Sequence, residues 1–178
     1  MALWLALGEV QSSWARARLG DREIEITGLR RALAAYFDTG TKLFAPLFQG
    51  RLAELEGEGD DTDGALRRID EAFALANEMG ARWTDALLHR IRGAILLKRD
   101  PANPAPAEEA FCAAVSIAQA QKARSFELQA VLPLAKLYLS TARSAEAHAV
   151  LGPALEGFSP TPEMPEIAEA QALLSRLA

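Results

Sequence analysis

A single cysteine, two histidines and an aromatic content of 7% limit the chemistry that this chain can hold. One cysteine, Cys112, excludes an internal disulfide framework and suits a reducing cytosol. It lies in an apolar helical run and is expected to be a buried, inert thiol. The histidines, His89 and His148, have no carboxylate or cysteine at metal-ligand spacing, so both are expected at helix surfaces or junctions. Gly57-x-Gly59 opens no strand–helix unit, and no Gly-x-Ser-x-Gly elbow occurs. These gaps predict a chain that is not an enzyme, with no catalytic residues, no cofactor and no metal.

An excess of positive charge is also missing: the net charge is −5 and the pI about 5.2. Arg67-Arg68 and Arg90 with Arg92 lie among acids and read as solvated helix faces, so no nucleic-acid partner is expected. No apolar run reaches the roughly 18 residues of a bilayer span, so no membrane partner is expected and the location should be cytoplasmic. The apolar start, Ala2 to Leu7, has no Lys or Arg before it and ends at Glu9, unlike a signal peptide. It reads as a helix whose apolar face needs a partner, and it suggests that sequence once preceded it. Leu3-Trp4-Leu5 could then support a homodimer.

What the chain has in quantity is alanine, leucine and helix punctuation. Nine helices are expected, at about 2–19, 21–38, 41–56, 62–79, 82–99, 107–122, 125–141, 144–158 and 162–177. Asp21 and Thr41 are expected caps, with Glu23 and Glu25 suited to the positive end of the second helix. Thr39-Gly40 and Gly80 are stops. Pro46 sits early in its helix, Pro133 should kink the seventh, and Thr161 should cap the ninth with Pro162 at its first position. The acid pairs Asp60-Asp61 and Glu108-Glu109 flank helix starts, where capping explains them better than acid–base work.

A repeat runs through these helices. Small residues in the odd-numbered helices, Ser13, Ala53, Gly93 and Ala135, are spaced by 40, 40 and 42 residues. Alanines in the even-numbered helices, Ala32, Ala72, Ala114 and Ala154, are spaced by 40, 42 and 40. Three residues before each stands a bulky one: Leu29, Ile69, Phe111 and Leu151. The two-residue excess lies in the proline loop after Asp100. Small residues let the two helices of a hairpin approach closely, while bulky ones fill the gap to the next hairpin.

Gly93 followed by Ala107-x3-Phe111-x2-Ala114 resembles the tetratricopeptide repeat, with a period nearer 40 than the usual ~34 residues. The stretches Leu88–Leu97, Ala123–Ala130, Leu151–Phe158 and Thr161–Leu174 look like the C-terminal helical-repeat region of bacterial predicted ATPases, class III cyclases and LuxR/MalT-type regulators. The resemblance implies an all-α fold: a right-handed superhelix, or α-solenoid, of about four hairpins (2–38, 41–79, 82–122, 125–158) with a capping helix at 162–177. It further implies one domain, 1–178, cut from a larger bacterial protein. Arg92 where leucine is commoner, Pro133, and the missing proline at each repeat's close predict an irregular superhelix.

In such arrays the first helix of each hairpin lines a concave face. Leu47, Glu54, Leu87, Arg90, Gln129, Leu132 and Lys136 would then meet a protein or peptide partner, or another domain of the same parent. The expected function is a non-catalytic interaction or regulatory scaffold. The alternative, which MalT-like arrays suggest, is a sensor that binds a small effector inside the superhelix.

Overall fold

The structure, a computed structural model, describes residues 2–20, 22–159 and 164–177. Among them the helices are α1 (Ala2–Leu19), α2 (Arg22–Asp38), α3 (Ala45–Gly57), α4 (Thr62–Met79), α5 (Asp85–Arg99), α6 (Ala105–Ala120), α7 (Arg124–Ser140), α8 (Ser144–Leu155) and α9 (Pro165–Ser175), with a 3-10 turn at Arg82–Thr84 and no strand. None of these helices is long and apolar enough to cross a membrane. Contacts divide the chain into two compact units, Met1–Thr84 and Asp85–Ala178.

In the first unit α1 packs on α2, α3 on α4, and α3 also on α2 and α1. The α1–α2 pair is antiparallel: Arg16 near the end of α1 bonds Glu25 near the start of α2, and Gly28 meets Ser13 further back. The core gathers Val10, Leu29, Tyr36, Phe48, Leu52 and Leu55. Tyr36 and Phe48 stack edge to face at 5.3 Å, and the Phe44 N–H donates to the Tyr36 hydroxyl at 3.2 Å.

That aromatic knot moves the start of α3. Thr41 was expected to cap it, but Phe44 stands at the cap, and the Thr41 N–H instead meets the Thr39 hydroxyl at 3.3 Å. Pro46, in the first turn, fits a position whose N–H has no helical acceptor. At α4 the expectation holds: Asp61 accepts from the Gly64 N–H at 2.8 Å. The expected cap Asp21, the Glu23 side chain, and Thr161 with Pro162 lie outside the described residues.

In the second unit α5 packs on α6 and α7, α6 on α7, α7 on α8, and α9 on both α7 and α8. Ile167 and Ala170 of α9 are buried in a core with Phe111, Leu128, Leu134 and Leu151. α7 runs unbroken through Pro133. Arg124 fixes α7 antiparallel to α8: its Nη2 donates to the carbonyls of Pro153, Ala154 and Glu156 at 3.1, 3.2 and 2.7 Å. A cation there also suits the negative end of a helix.

Three tracks of the register are buried throughout: Ser13, Ala53, Gly93 and Ala135; Ala32, Ala72, Ala114 and Ala154; Leu29, Ile69, Phe111 and Leu151. The track one residue after each of these alanines is not: Leu33 is buried, whereas Phe73, Val115 and Leu155 are half-buried. The backbone adds another track. Gly40, Gly80 and Lys122, each eight residues after an alanine of the register, all have positive φ (77°, 66° and 55°) and end α2, α4 and α6. Glycine adopts this conformation freely, whereas Lys122 costs about 1 kcal/mol there.

Cys112 is exposed, not buried as expected. The core side of α6 is Ala107, Ala110, Phe111, Ala114 and Ala118, which leaves residue 112 on the outer side. An apolar run in an alanine-rich helix does not by itself show which side faces inward.

Candidate functional site

The richest polar arrangement in the first unit is built on one side of α3. Leu47, Arg51 and Glu54 follow one another at helical spacing, which places them on a common face. The Arg51 guanidinium lies over the Trp14 ring at 4.9 Å, and Arg18, one turn beyond Trp14 on α1, lies at 5.8 Å. Both cations also hold Glu54. Arg51 Nη1 donates to its Oε2 at 3.0 Å, and Arg18 Nη2 reaches its Oε1 at 3.3 Å. Arg18 bonds Glu58 as well, at 2.6 Å. Glu54 is only 6% exposed, so its charge requires this double pairing.

Beside the cluster is a cavity of about 180 Å³, bounded by Val10, Gln11, Trp14, Leu29, Leu47, Phe48 and Arg51. Its walls are mostly apolar, with one amide and one cation among them. The Trp14 Nε1 atom is sealed from solvent without a hydrogen-bond acceptor among the described residues. Such a site suits a small apolar group with one acceptor end held by Arg51 or Gln11. A second carboxylate, Glu56, is buried on the opposite side of α3 from Glu54 and held by Arg30 at 2.8 Å and by Arg68 at 2.6 Å; Arg68 also bonds Gln49.

The remaining candidates lie in the second unit. Leu87 and Leu132 are buried at 1% and 4% exposure, so they hold helices together and present no surface. Gln129 is half-buried, and its Oε1 is sealed without a donor among the described residues. Arg90 is half-buried, and Lys136 is exposed and paired with Glu169 of α9 at 2.6 Å. Gln129, Leu132 and Lys136 share one side of α7, and α7 packs on α5, which carries Leu87 and Arg90. Leu47 and Glu54 share α3 in the first unit.

Two clusters have no counterpart among the expected residues. Arg143 sits over the Tyr138 ring at 4.2 Å and bonds Glu108 at 2.7 Å and Glu146 at 2.6 Å. Hydrogen bonds to Glu146 and Glu108 hold Arg143 protonated still more firmly than usual, and the Arg143 bond draws the Glu146 carboxyl below its ordinary range. Burial, then the Cys112 thiol 3.8 Å away, push the Tyr138 phenol up to about 12. The other cluster is Glu127, buried and held by Arg124 and by Gln119 Nε2 at 2.9 Å. His148 is exposed and His89 half-buried. Among the described residues no group of His, Cys, Asp or Glu could hold a metal ion.

No family model, no curated protein and no solved structure matches this chain.

Proposed function

We propose that the chain is a non-catalytic interaction or regulatory scaffold. In this reading it is a cytoplasmic α-solenoid segment of the tetratricopeptide kind, from a bacterial signalling protein that carries an ATPase, cyclase or transcription-regulator part. Its partner is a protein or peptide, or another domain of the same polypeptide. The observation that supports this most is the repeated register, buried at all twelve positions. Stacked as an array, four such hairpins would present long helix sides at fixed intervals, and repeat arrays use such sides for binding. Arg90→Glu together with Lys136→Glu is expected to weaken capture of a specific protein partner about tenfold or more. Lys136 and Glu169 are both about half exposed (51% and 52%), so breaking their pair costs little stability. Full capture by the folded double variant contradicts this placement of the binding face.

The cavity beside Trp14 favours a second reading, a sensor for a small effector. A compact molecule with an apolar body and one acceptor end would then raise the unfolding temperature. Leu47→Trp, which fills the cavity, should abolish that rise. An equal rise in the filled variant contradicts binding there.

A further inference from the structure

α1 is apolar on two opposite sides. Its inward side buries Ala6, Val10, Ser13 and Ala17. On the outward side Trp4, Leu5 and Leu19 are 73%, 67% and 90% exposed, and Gly8, Ser12 and Ala15 between them are exposed too. At about 100° per residue these six fill an uncharged arc of roughly 100° opposite the buried side. Leu5, Gly8, Ser12, Ala15 and Leu19 recur at intervals of three and four, the spacing of a helix–helix seam. A solvated helix looks different: the exposed residues of α4 include Asp63, Arg67, Asp70, Glu71 and Glu78.

The charges of α1 point to the occupant. Glu9 and Arg16 both lie on one flank of the arc, seven residues apart, on either side of Ser12. A second α1 running the opposite way sets each Glu9 beside the other copy's Arg16. The same reversal sets Trp4 and Leu5 against the other copy's Leu19, Gly8 against Ala15, and Ser12 against itself. We propose that the outward side of α1 is a homodimer interface, two α1 helices packed antiparallel about a two-fold axis at Ser12. The small residues at the centre permit close approach of the backbones, and the bulky ones close the ends. One patch thus serves both copies, as a two-fold interface requires. Arg16 already bonds Glu25 at 3.0 Å but is 59% exposed, so it can accept a second carboxylate. A lipid surface would favour free cationic flanks, whereas one flank carries Glu9 with Arg16 and the other carries Arg18, already paired with Glu54 and Glu58.

Sedimentation equilibrium of the full chain should show a shift with concentration from 19.2 kDa to about twice that mass. Ser12→Glu places two carboxylates across the axis and should weaken association roughly tenfold or more. Its circular dichroism should be unchanged, because residue 12 faces solvent. Ala15→Glu gives the same readout at a second exposed position if Ser12→Glu loses helicity. In a Cys112→Ser background, Ser12→Cys should form a dimeric disulfide under mild oxidation, and Asn77→Cys on the exposed side of α4 should not. A mass of 19.2 kDa at every concentration overturns the proposal. So does a dimer that survives both glutamates, or one that does not cross-link at residue 12.

Discussion

Gly93→Ala is expected to lower stability by about 2 kcal/mol, although alanine is the better helix former. Propensity alone favours alanine by about 1 kcal/mol in a helix interior. The packing opposes it more strongly. A Cβ on Gly93 would stand 2.6 Å from Cδ1 and Cε1 of Phe111 and 3.1 Å from the carbonyl oxygen of Ala107. Phe111 is fully buried in the core of the second unit, and the carbonyl belongs to the backbone of α6, so neither yields easily. Overpacking of this kind costs about 1–3 kcal/mol beyond any local gain. Phe111→Leu alone should also destabilise, by about 1–2 kcal/mol through the space it leaves. Together the two changes should cost less than their sum, with a coupling of about 1 kcal/mol or more. Thermal unfolding followed by circular dichroism measures all four corners of that cycle, and strict additivity contradicts the contact.

Arg124→Ala should destabilise by about 2 kcal/mol, through a different cause. Arg124 compensates the buried Glu127 carboxylate, donates to three carbonyls at the end of α8, and lies 5.8 Å over the Phe158 ring. Its own side chain is 43% exposed, so water can replace part of what the carbonyls lose. Glu127 is the harder loss: at 5% side-chain exposure it keeps, among the described residues, Gln119. Removing one partner of a buried pair costs more than removing both. Arg124→Met with Glu127→Leu should therefore be more stable than Arg124→Met alone. The reverse order, read from unfolding midpoints, contradicts that account.

Much of the helical layout was legible because the punctuation is local. α1 and α4 have the expected bounds, set by Gly20 and by Asp61 with Gly80. Spacing placed Gly93 among the small residues of close helix approach, but the bulky track was expected to fill the gap to the next hairpin, and Phe111 instead packs against Gly93 within one hairpin. α3 begins four residues late, where Tyr36 of the preceding helix accepts from the Phe44 N–H; no cap signal at Thr41 could reveal that. The candidate site was only partly legible. Register placed Leu47 and Glu54 on one side of α3, but it could not show that Glu54 is buried beneath Arg18 and Arg51, because that pairing joins α1 to α3. Leu87 and Leu132 were expected on a binding face and are buried instead; helical period alone does not separate an inner surface from a core. The buried acids do carry a sequence signal. Arg124-x2-Glu127 repeats Arg82-x2-Asp85 at the same 42-residue shift as Gly93 and Ala135, and Asp85 and Glu127 are both buried acids.

The claim beneath all of this is that four hairpins use one register of close helix contacts. Leucine placed singly at Ser13, Ala53, Gly93 and Ala135, with exposed Ala74, Ala94 and Ala149 as controls, tests it most directly. Each register variant should lose about 1–3 kcal/mol of unfolding free energy, and each control should stay within about 0.5 kcal/mol of the parent. Tolerance of leucine at Ala53 or Ala135, or equal losses at the controls, would contradict a shared register.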